Sequence, residues 1–299
     1  MSAPRRSPRR LALRTSAKIN LVLEVLGKRQ DGYHELATVL QGVDLFDELL
    51  LEEAEEITLR SEAPGVPTDE RNLALRAARL LQEAAGVRRG AKITLRKRIP
   101  VAAGLGGGSS DAAATLWGLN RLWKLRWPGQ RLAALGAQVG TDVPFALLGG
   151  RALATGRGEI LEPLPDAPSL ALVLVNPNFP LTTREVYERV PPDLAGDGSR
   201  AQILIRALTT RQPSRVAATL YNSLESIVEA GYPAVARMKA ALMGAGALGA
   251  AMSGSGPTVF GVARSQDHAR QIRTRLTTPA WSCWVARTIA GPAIRPVRG

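Results

Sequence analysis

The segment from Pro100 to Asp111 constrains the fold of this chain more than any other. It reads Pro-Val-Ala-Ala-Gly-Leu-Gly-Gly-Gly-Ser-Ser-Asp. An alternating run over 91–98 before it predicts a strand, and an apolar run after it predicts a helix over about 109–125. Glycines allow backbone N–H groups to converge on one ligand, and a helix N-terminus adds partial positive charge. A strand, a glycine loop and a helix start therefore predict a site for a phosphate chain.

Two common phosphate-binding motifs are excluded by the same segment. The loop lacks the Gly-Lys-Ser/Thr ending of a Walker-type loop, and Ser109 occupies the last position of a Gly-x-Gly-x-x-Gly motif that begins at Gly104. A flexible Gly-Ser linker is the remaining alternative. However, Ser109, Ser110 and Asp111 at the start of an apolar helix are typical of helix capping. The pattern favours a phosphate loop over a linker.

Composition indicates an ordinary globular protein. A chain of 299 residues predicts two domains or one large domain, and 45% apolar with 22% charged residues is usual for such proteins. The longest apolar run, 170–175, has the length of a strand, whereas a membrane span needs about 20 residues. Cys283 is the only cysteine, which excludes an internal disulfide and is typical of a reducing compartment. We therefore predict a cytoplasmic protein without a membrane partner.

The net charge of +13 raises the question of a polyanionic partner. Four arginines lie in the first ten residues, and the others are scattered singly, so we interpret most of the excess as solvated surface charge. This interpretation predicts no nucleic-acid partner. Residues 1–14 are interpreted as a disordered basic tail. They are not read as an export signal, because Arg14, Lys18 and Asn20 interrupt the apolar stretch that follows.

Periodicity and turn residues predict the remaining organisation. Alternation predicts a strand over 19–25, and Asp31-Gly32 predicts a turn. Asn72 predicts the start of a helix that Gly86 ends. Prolines at 163, 165 and 168 predict a boundary between domains at 15–163 and 164–290. The second half alternates strands with helices, which predicts a two-layer α+β domain. Its predicted strands are 170–176, 249–253, 259–263 and 281–289.

Three motifs in order resemble the GHMP kinase superfamily, whose members phosphorylate small molecules. They are Ala17–Leu21, the glycine loop and Met252–Pro257. The resemblance implies an α+β fold of two domains with the active site in the cleft between them, and it implies ATP as co-substrate with Mg²⁺. The segments 31–36 (Asp-Gly-Tyr-His-Glu-Leu) and 140–145 resemble one branch of the family. That branch phosphorylates the 2-hydroxyl of a cytidine-diphosphate-linked methylerythritol in the non-mevalonate isoprenoid pathway.

The resemblance also implies two catalytic residues. Asp142 is the carboxylate that assists the attacking alcohol, and Lys18 lies beside it and the γ-phosphate. From the residues alone, an aspartate before Val-Pro favours a turn or a helix cap over a catalytic role, and it is the resemblance that reverses this interpretation. Asp111 is the rival catalytic carboxylate, although the first turn of a helix suits it to stabilising the helix dipole.

Further residues are assigned to the two ligands by resemblance. Asn72 could instead serve only as a helix cap, Tyr187 could belong to a helix core, and 254–256 could be a simple turn. The ATP-binding set is Pro100, Gly104, Leu105, Gly106, Gly107, Gly108, Ser109, Ser110 and Asn72, with the Ser110 hydroxyl reaching Mg²⁺. The substrate-binding set is Asn20, Tyr33, His34, Tyr187, Gly254 and Ser255.

Two alternatives stay open on the sequence alone. One is another GHMP kinase, acting on homoserine, mevalonate or phosphomevalonate, against which the Asp-Gly-Tyr-His segment argues. The other is a nucleotide-sensing or nucleic-acid-binding regulator on the same scaffold, for which the net charge is the only support. The expected partner is a small molecule, and the expected state is a monomer or a weak homodimer.

Overall fold

The structure is a computed structural model, and it describes residues 9–276 and 278–297. The strands are β1 (Arg10–Lys28), β2 (His34–Ala54), β3 (Ile57–Ser61), β4 (Gly90–Arg96), β5 (Arg151–Thr155), β6 (Ile160–Pro163), β7 (Ala171–Asn176), β8 (Tyr221–Asn222), β9 (Gly249–Met252), β10 (Val259–Ala263), β11 (Ser282–Arg287) and β12 (Ile294–Pro296). The helices are α1 (Leu73–Ala85), α2 (Gly107–Leu122), α3 (Gly129–Ala137), α4 (Val143–Leu148), α5 (Thr183–Tyr187), α6 (Ser199–Thr209), α7 (Pro213–Ala217), α8 (Glu225–Gly231), α9 (Ala234–Gly244) and α10 (Gln266–Arg275).

The long antiparallel hairpin β1–β2 is the frame of the first half. Its turn lies at the predicted Asp31-Gly32, where Gly32 has a φ of +84° and the Asp31 carboxylate accepts a hydrogen bond from Tyr33 N–H. The register shifts at Ser16/Ala17 and at Asn20/Val22. β-bulges of this kind redirect side chains and are frequent beside active sites. Lys18 and Asn20 therefore lie on the part of β1 between these two shifts in register.

The disordered tail predicted over 1–14 is wrong for residues 10–14. Arg10 begins β1 and pairs with Glu52, and the Leu13 side chain is fully buried. Strand β12 pairs antiparallel with the same stretch, at Leu13 and Thr15. These partners lie about 40 and 280 residues away, so local composition did not indicate them. Residues 1–8 lie outside the described residues.

Two sheets and their helices confirm the α+β prediction. One sheet has eight strands, with β12-β1-β2-β4-β3 in order, β5 on β2, β6 on β5 and β8 on β1. The other has four antiparallel strands in the order β11-β7-β10-β9. Helices α1, α2 and α3 cover the first sheet with a core of leucine, alanine and valine. The division at 163/164 stays a prediction, because β8 and β12 return from the second half to the first sheet.

A buried ionic cluster supports the strand that enters the glycine loop. Asp47 is fully buried and accepts hydrogen bonds from the N–H groups of Arg98 and Ile99, at 2.6 and 2.9 Å. Its second oxygen pairs with the Lys97 ammonium, which also donates to Asp111 on α2 at 2.8 Å. Burial raises the pKa of the Asp111 carboxyl to about 8, although Lys97 acts in the opposite direction. The cluster ties β2, the loop entry and α2 together.

We expect Asp47→Ala to lower the free energy of unfolding by about 3–5 kcal/mol, since it removes one buried carboxylate of the ionic cluster and takes this acceptor from the N–H groups of Arg98 and Ile99. Chemical denaturation measures the change. Asp267→Asn is the control, because it breaks an exposed pair with Arg270 and should cost less than about 1 kcal/mol. Equal losses in the two variants would contradict a supporting role for the cluster.

No helix among the described residues is long and apolar enough to cross a membrane.

Candidate active site

The glycine loop folds as the sequence predicts, but helix α2 begins earlier. Gly106 is its N-cap residue, with a φ of +67° and no side-chain cap, so the predicted capping by Ser109 and Ser110 is wrong. A Cβ at Gly104 would lie 2.1 Å from the Ser253 carbonyl oxygen, and one at Gly106 would lie 2.8 Å from the Lys18 side chain. Glycine is therefore required at both positions by φ and by close approach.

Lys18 and Asp142 meet although 124 positions separate them. Lys18 Nζ lies 3.2 Å from Asp142 Oδ2 and donates a hydrogen bond to Asn20 Oδ1 at 2.8 Å. The Asn20 amide is held in turn by Thr38 Oγ1, at 2.8 Å. Asp142 is the residue before α4, with no side-chain cap bond, and its side chain is 30% exposed. The cap alternative is thus not supported by the hydrogen bonds, and the carboxylate is open to a ligand.

Ser110 lies away from the cavity, in contrast to its predicted place at the metal. Its side chain is buried, and its hydroxyl donates to the Ser16 carbonyl at 2.7 Å. Ser109 lines the cavity instead, and its Oγ lies 3.6 Å from a Cβ built on Gly140. Leu105 is also buried outside the cavity, where its carbonyl accepts a hydrogen bond from Lys18 N–H. The structure thus corrects the hypothesis that Ser110 reaches Mg²⁺.

The rings of Tyr33, His34 and Tyr187 form the aromatic end of the site. The rings of His34 and Tyr187 have centroids 5.3 Å apart and an interplanar angle of 38°. Tyr33 is 55% exposed, and the Arg157 guanidinium lies 4.9 Å from its ring centroid. Burial lowers the pKa of the His34 imidazole, and Lys28 adds to the effect. Burial raises the pKa of the Tyr187 hydroxyl, with a further contribution from the Asp142 carboxylate. The aromatic end thus lies within electrostatic range of the Lys18–Asp142 pair.

One cavity of about 990 Å³ contains these features, and both halves of the chain line it. A volume of this size is at the upper end for small-molecule sites. All of the predicted site residues except Leu105 and Ser110 line it. Asn72 both lines the cavity and caps α1, since its Oδ1 accepts from Ala74 N–H at 2.9 Å. The described residues contain no group of three or more His, Cys, Asp or Glu side chains that could hold a metal ion.

Several cavity residues were not predicted. They include two cations at the aromatic end, the ammonium of the buried ionic cluster, and a hydroxyl that meets Ser255 Oγ at 3.0 Å: Lys28, Arg157, Lys97 and Thr183. Thr183 belongs to the segment that contains Tyr187, so it could have been found from that segment. No pattern around Arg157 distinguishes it from the many surface arginines of this chain.

Comparison with known proteins identifies the class. The model for the GHMP kinases N terminal domain matches residues 72–150, and the model for the GHMP kinases C terminal domain matches residues 204–280. The chain belongs to the GHMP kinase family, and it is an ATP-dependent small-molecule kinase.

Particular relatives narrow the class. A 4-diphosphocytidyl-2-C-methyl-D-erythritol kinase of Pelotomaculum thermopropionicum is 49% identical over 274 residues, which are 91% of this chain and 96% of that one. A crystal structure of 4-(cytidine 5'-diphospho)-2C-methyl-D-erythritol kinase superposes with a TM-score of 0.80 at 37% identity, covering 94% of this chain and 100% of that one. Homoserine kinase from Cytophaga hutchinsonii shares the fold, with a TM-score of 0.79 at 18% identity and 99% coverage of both chains.

Proposed function

We propose that this protein transfers the γ-phosphoryl group of ATP to the 2-hydroxyl of 4-diphosphocytidyl-2-C-methyl-D-erythritol, giving the 2-phosphate and ADP in the non-mevalonate isoprenoid pathway. The observation that carries the proposal is the Lys18–Asp142 contact of 3.2 Å in the same cavity as the glycine loop and the His34–Tyr187 pair. The 49% identity to a kinase of that name supports the choice of acceptor.

The cavity residues divide the reaction between them. The glycine loop and the N-terminus of α2 offer backbone N–H groups and partial positive charge to the triphosphate. Asp142 accepts the proton of the attacking hydroxyl, and Lys18 balances the negative charge that gathers on the transferred group. Asn20 fixes the Lys18 ammonium by the 2.8 Å hydrogen bond. Phosphoryl transfer depends mainly on positioning and charge neutralisation, and these contacts support the proposed roles.

Oxygen donors suitable for Mg²⁺ line the cavity that contains this pair. Mg²⁺ prefers one or two carboxylate or hydroxyl oxygens together with the phosphates of the nucleotide. The Ser109 hydroxyl and the Asp142 carboxylate both line the cavity and supply such oxygens, so the residues are compatible with the ion. When bound, Mg²⁺ neutralises charge on the phosphates. Ser109 replaces Ser110 in this proposal.

The aromatic end recognises cytosine, which needs both a stacking surface and an edge contact. The Tyr187 ring and the exposed Tyr33 ring offer surfaces, while a neutral imidazole offers one donor and one acceptor. Because the pKa of His34 is lowered by burial and by Lys28, the ring is neutral at pH 7. Homoserine and mevalonate carry no base for these rings to hold.

For His34→Gln we expect the KM for the cytidyl acceptor to rise by about 10–100-fold. A rise of this size corresponds to the loss of one or two hydrogen bonds to the acceptor. The KM for ATP should stay unchanged. In the wild type, the acceptor KM should stay constant as pH falls from 8 to 6.5 and rise only below 6.5, because the lowered pKa delays protonation. Initial-rate kinetics from pH 8 to below pH 6.5 measure both effects. His268→Gln is the control, and an equal rise there would remove the role of His34.

A steady-state assay with ATP and three acceptors tests the proposed function. We expect turnover of the cytidyl substrate and a kcat/KM at least about 10³-fold lower for homoserine and for mevalonate, since sites that hold a base reject ligands lacking it. Turnover of homoserine or mevalonate without the cytidyl substrate would overturn the proposal and favour another GHMP kinase.

We also propose that the enzyme acts in the cytoplasm as a monomer or weak homodimer, without nucleic-acid or membrane partners. The single cysteine and the scattered arginines support this proposal. Sedimentation velocity at several protein concentrations tests the oligomeric state.

A further inference from the structure

Strand β8 brings a residue of the second half against the strand that carries Lys18. It has only two residues, Tyr221 and Asn222, and they pair in parallel with Val22 and Leu23 of β1. Asn222 is 6% exposed and lies outside the cavity lining. No motif in the sequence singled it out.

The amide nitrogen and the amide oxygen of Asn222 are both hydrogen-bonded to backbone groups. Its Nδ2 donates to the carbonyl oxygens of Met252 and Gly254, at 2.8 Å each, and its Oδ1 accepts from Leu224 N–H at 2.9 Å. An amide turned by 180° would place Oδ1 against two carbonyl oxygens and Nδ2 against an N–H group. The orientation of the amide is therefore determined by its partners. Asn222 thus holds the segment 252–254, the clamped segment, by the residues on both sides of Ser253.

The clamped segment touches the reaction centre directly. Ser253 Oγ donates to the Gly104 carbonyl of the glycine loop at 2.9 Å and accepts from Asn20 N–H at 3.4 Å. Gly254 has a φ of +56°, and a Cβ built on it would lie 3.3 Å from both Lys18 Nζ and Asn20 Oδ1. The segment 252–254 therefore contacts both the glycine loop and the Lys18–Asn20 pair.

We propose that Asn222 is a positioning residue for phosphoryl transfer. Its two donated hydrogen bonds set the distance of Gly254 and Ser253 from Lys18, Asn20 and the glycine loop. Through them it sets the alignment of the acceptor hydroxyl with the γ-phosphate, and to this extent the inference rests on the proposed function. A displacement of about 1 Å at a reacting centre can cost about 100-fold in rate.

Asn222→Asp tests the role with little change of volume. The variant keeps the acceptor for Leu224 N–H and replaces the two donors by an oxygen that faces two carbonyls. Asn120→Asp is the matched control. Asn120 clamps Trp127 in the same way, donating to its carbonyl at 3.1 Å and accepting from its N–H at 2.9 Å, and it does not line the cavity.

We expect kcat to fall by about 30–100-fold in Asn222→Asp and by less than about twofold in Asn120→Asp, while the two Tm values fall by similar amounts. The KM for ATP should change by less than about threefold. If kcat falls equally in both variants, Asn222 has only a structural role and the inference is overturned. The wild-type rate on the cytidyl acceptor tests the proposed function. The ratio of the variant rates, on whichever alcohol the wild type phosphorylates, tests Asn222.

Ser253→Ala tests the contact between the clamped segment and the glycine loop while Asn222 stays unchanged. This variant serves as the test if Asn222→Asp does not fold. It removes the hydroxyl that joins the clamped segment to Gly104 and Asn20. We expect kcat to fall by about tenfold, and the double variant to lose less than the product of the two single losses, because both act through one segment. A wild-type kcat in Ser253→Ala would overturn the inference.

Discussion

Asp142→Asn is expected to lower kcat by about 10³-fold, within the range that a general base contributes to proton transfer. The KM values for ATP and for the acceptor should change by less than about threefold, because the amide keeps the volume and a hydrogen-bonding oxygen. The physical reason is the position of the carboxylate, 3.2 Å from Lys18 and open to the cavity. Single-turnover rates measure the chemical step without product release.

The control for this variant is Asp166→Asn, in the exposed connection between β6 and β7. It removes the same charge from the protein and should leave kcat unchanged. An unchanged kcat in Asp142→Asn would remove the base assignment and leave positioning and charge neutralisation as the whole of catalysis.

Lys18→Met should lower kcat by about 10²–10³-fold, the usual cost of removing one preorganised electrostatic contact. Methionine retains an apolar stem against Gly106, whose Cβ position lies 2.8 Å from the lysine stem. The loss is therefore one of charge and hydrogen bonding, and the Tm should stay close to that of the wild type. Lys124→Met, at an exposed position, is the control.

Because the proposed roles of Lys18 and Asp142 concern the same transferred group, their effects should not add. We expect Lys18→Met/Asp142→Asn to be little slower than the slower single variant, as is usual for residues that act as a unit. Fully multiplicative losses in kcat would show that the two residues work independently, which would contradict their 3.2 Å contact as a functional pair.

Local features of this chain were predictable from the sequence. The strand, glycine loop and helix around Pro100–Asp111, the Asp31-Gly32 turn and the Asn72 cap each depend on neighbouring residues. The start of α2 was misplaced by two residues because serines usually cap helices. Here Gly106 occupies the cap, where only a residue without Cβ avoids the Lys18 side chain.

Features that depend on distant partners were not predictable in this way. Residues 10–14 form a strand because β2 and β12 pair with them. The Ser110 hydroxyl lies outside the cavity because it donates a hydrogen bond to the carbonyl of Ser16, 94 positions earlier. The three-residue strand β12 and the two-residue strand β8 are too short for any periodicity. Asn222 had no signal for the same reason, and the two carbonyls to which its amide donates belong to another segment. The proximity of Lys18 and Asp142 was expected only through family resemblance.

The most direct test of the central claim is the position of the phosphate in the product. After incubation of the protein with ATP, Mg²⁺ and the cytidyl acceptor, ³¹P NMR with correlation to the carbon skeleton identifies the phosphorylated oxygen. We predict one new phosphomonoester on the 2-hydroxyl, formed in equal amount with ADP. ADP formation without a phosphorylated acceptor, or a phosphate on another hydroxyl, would contradict the account.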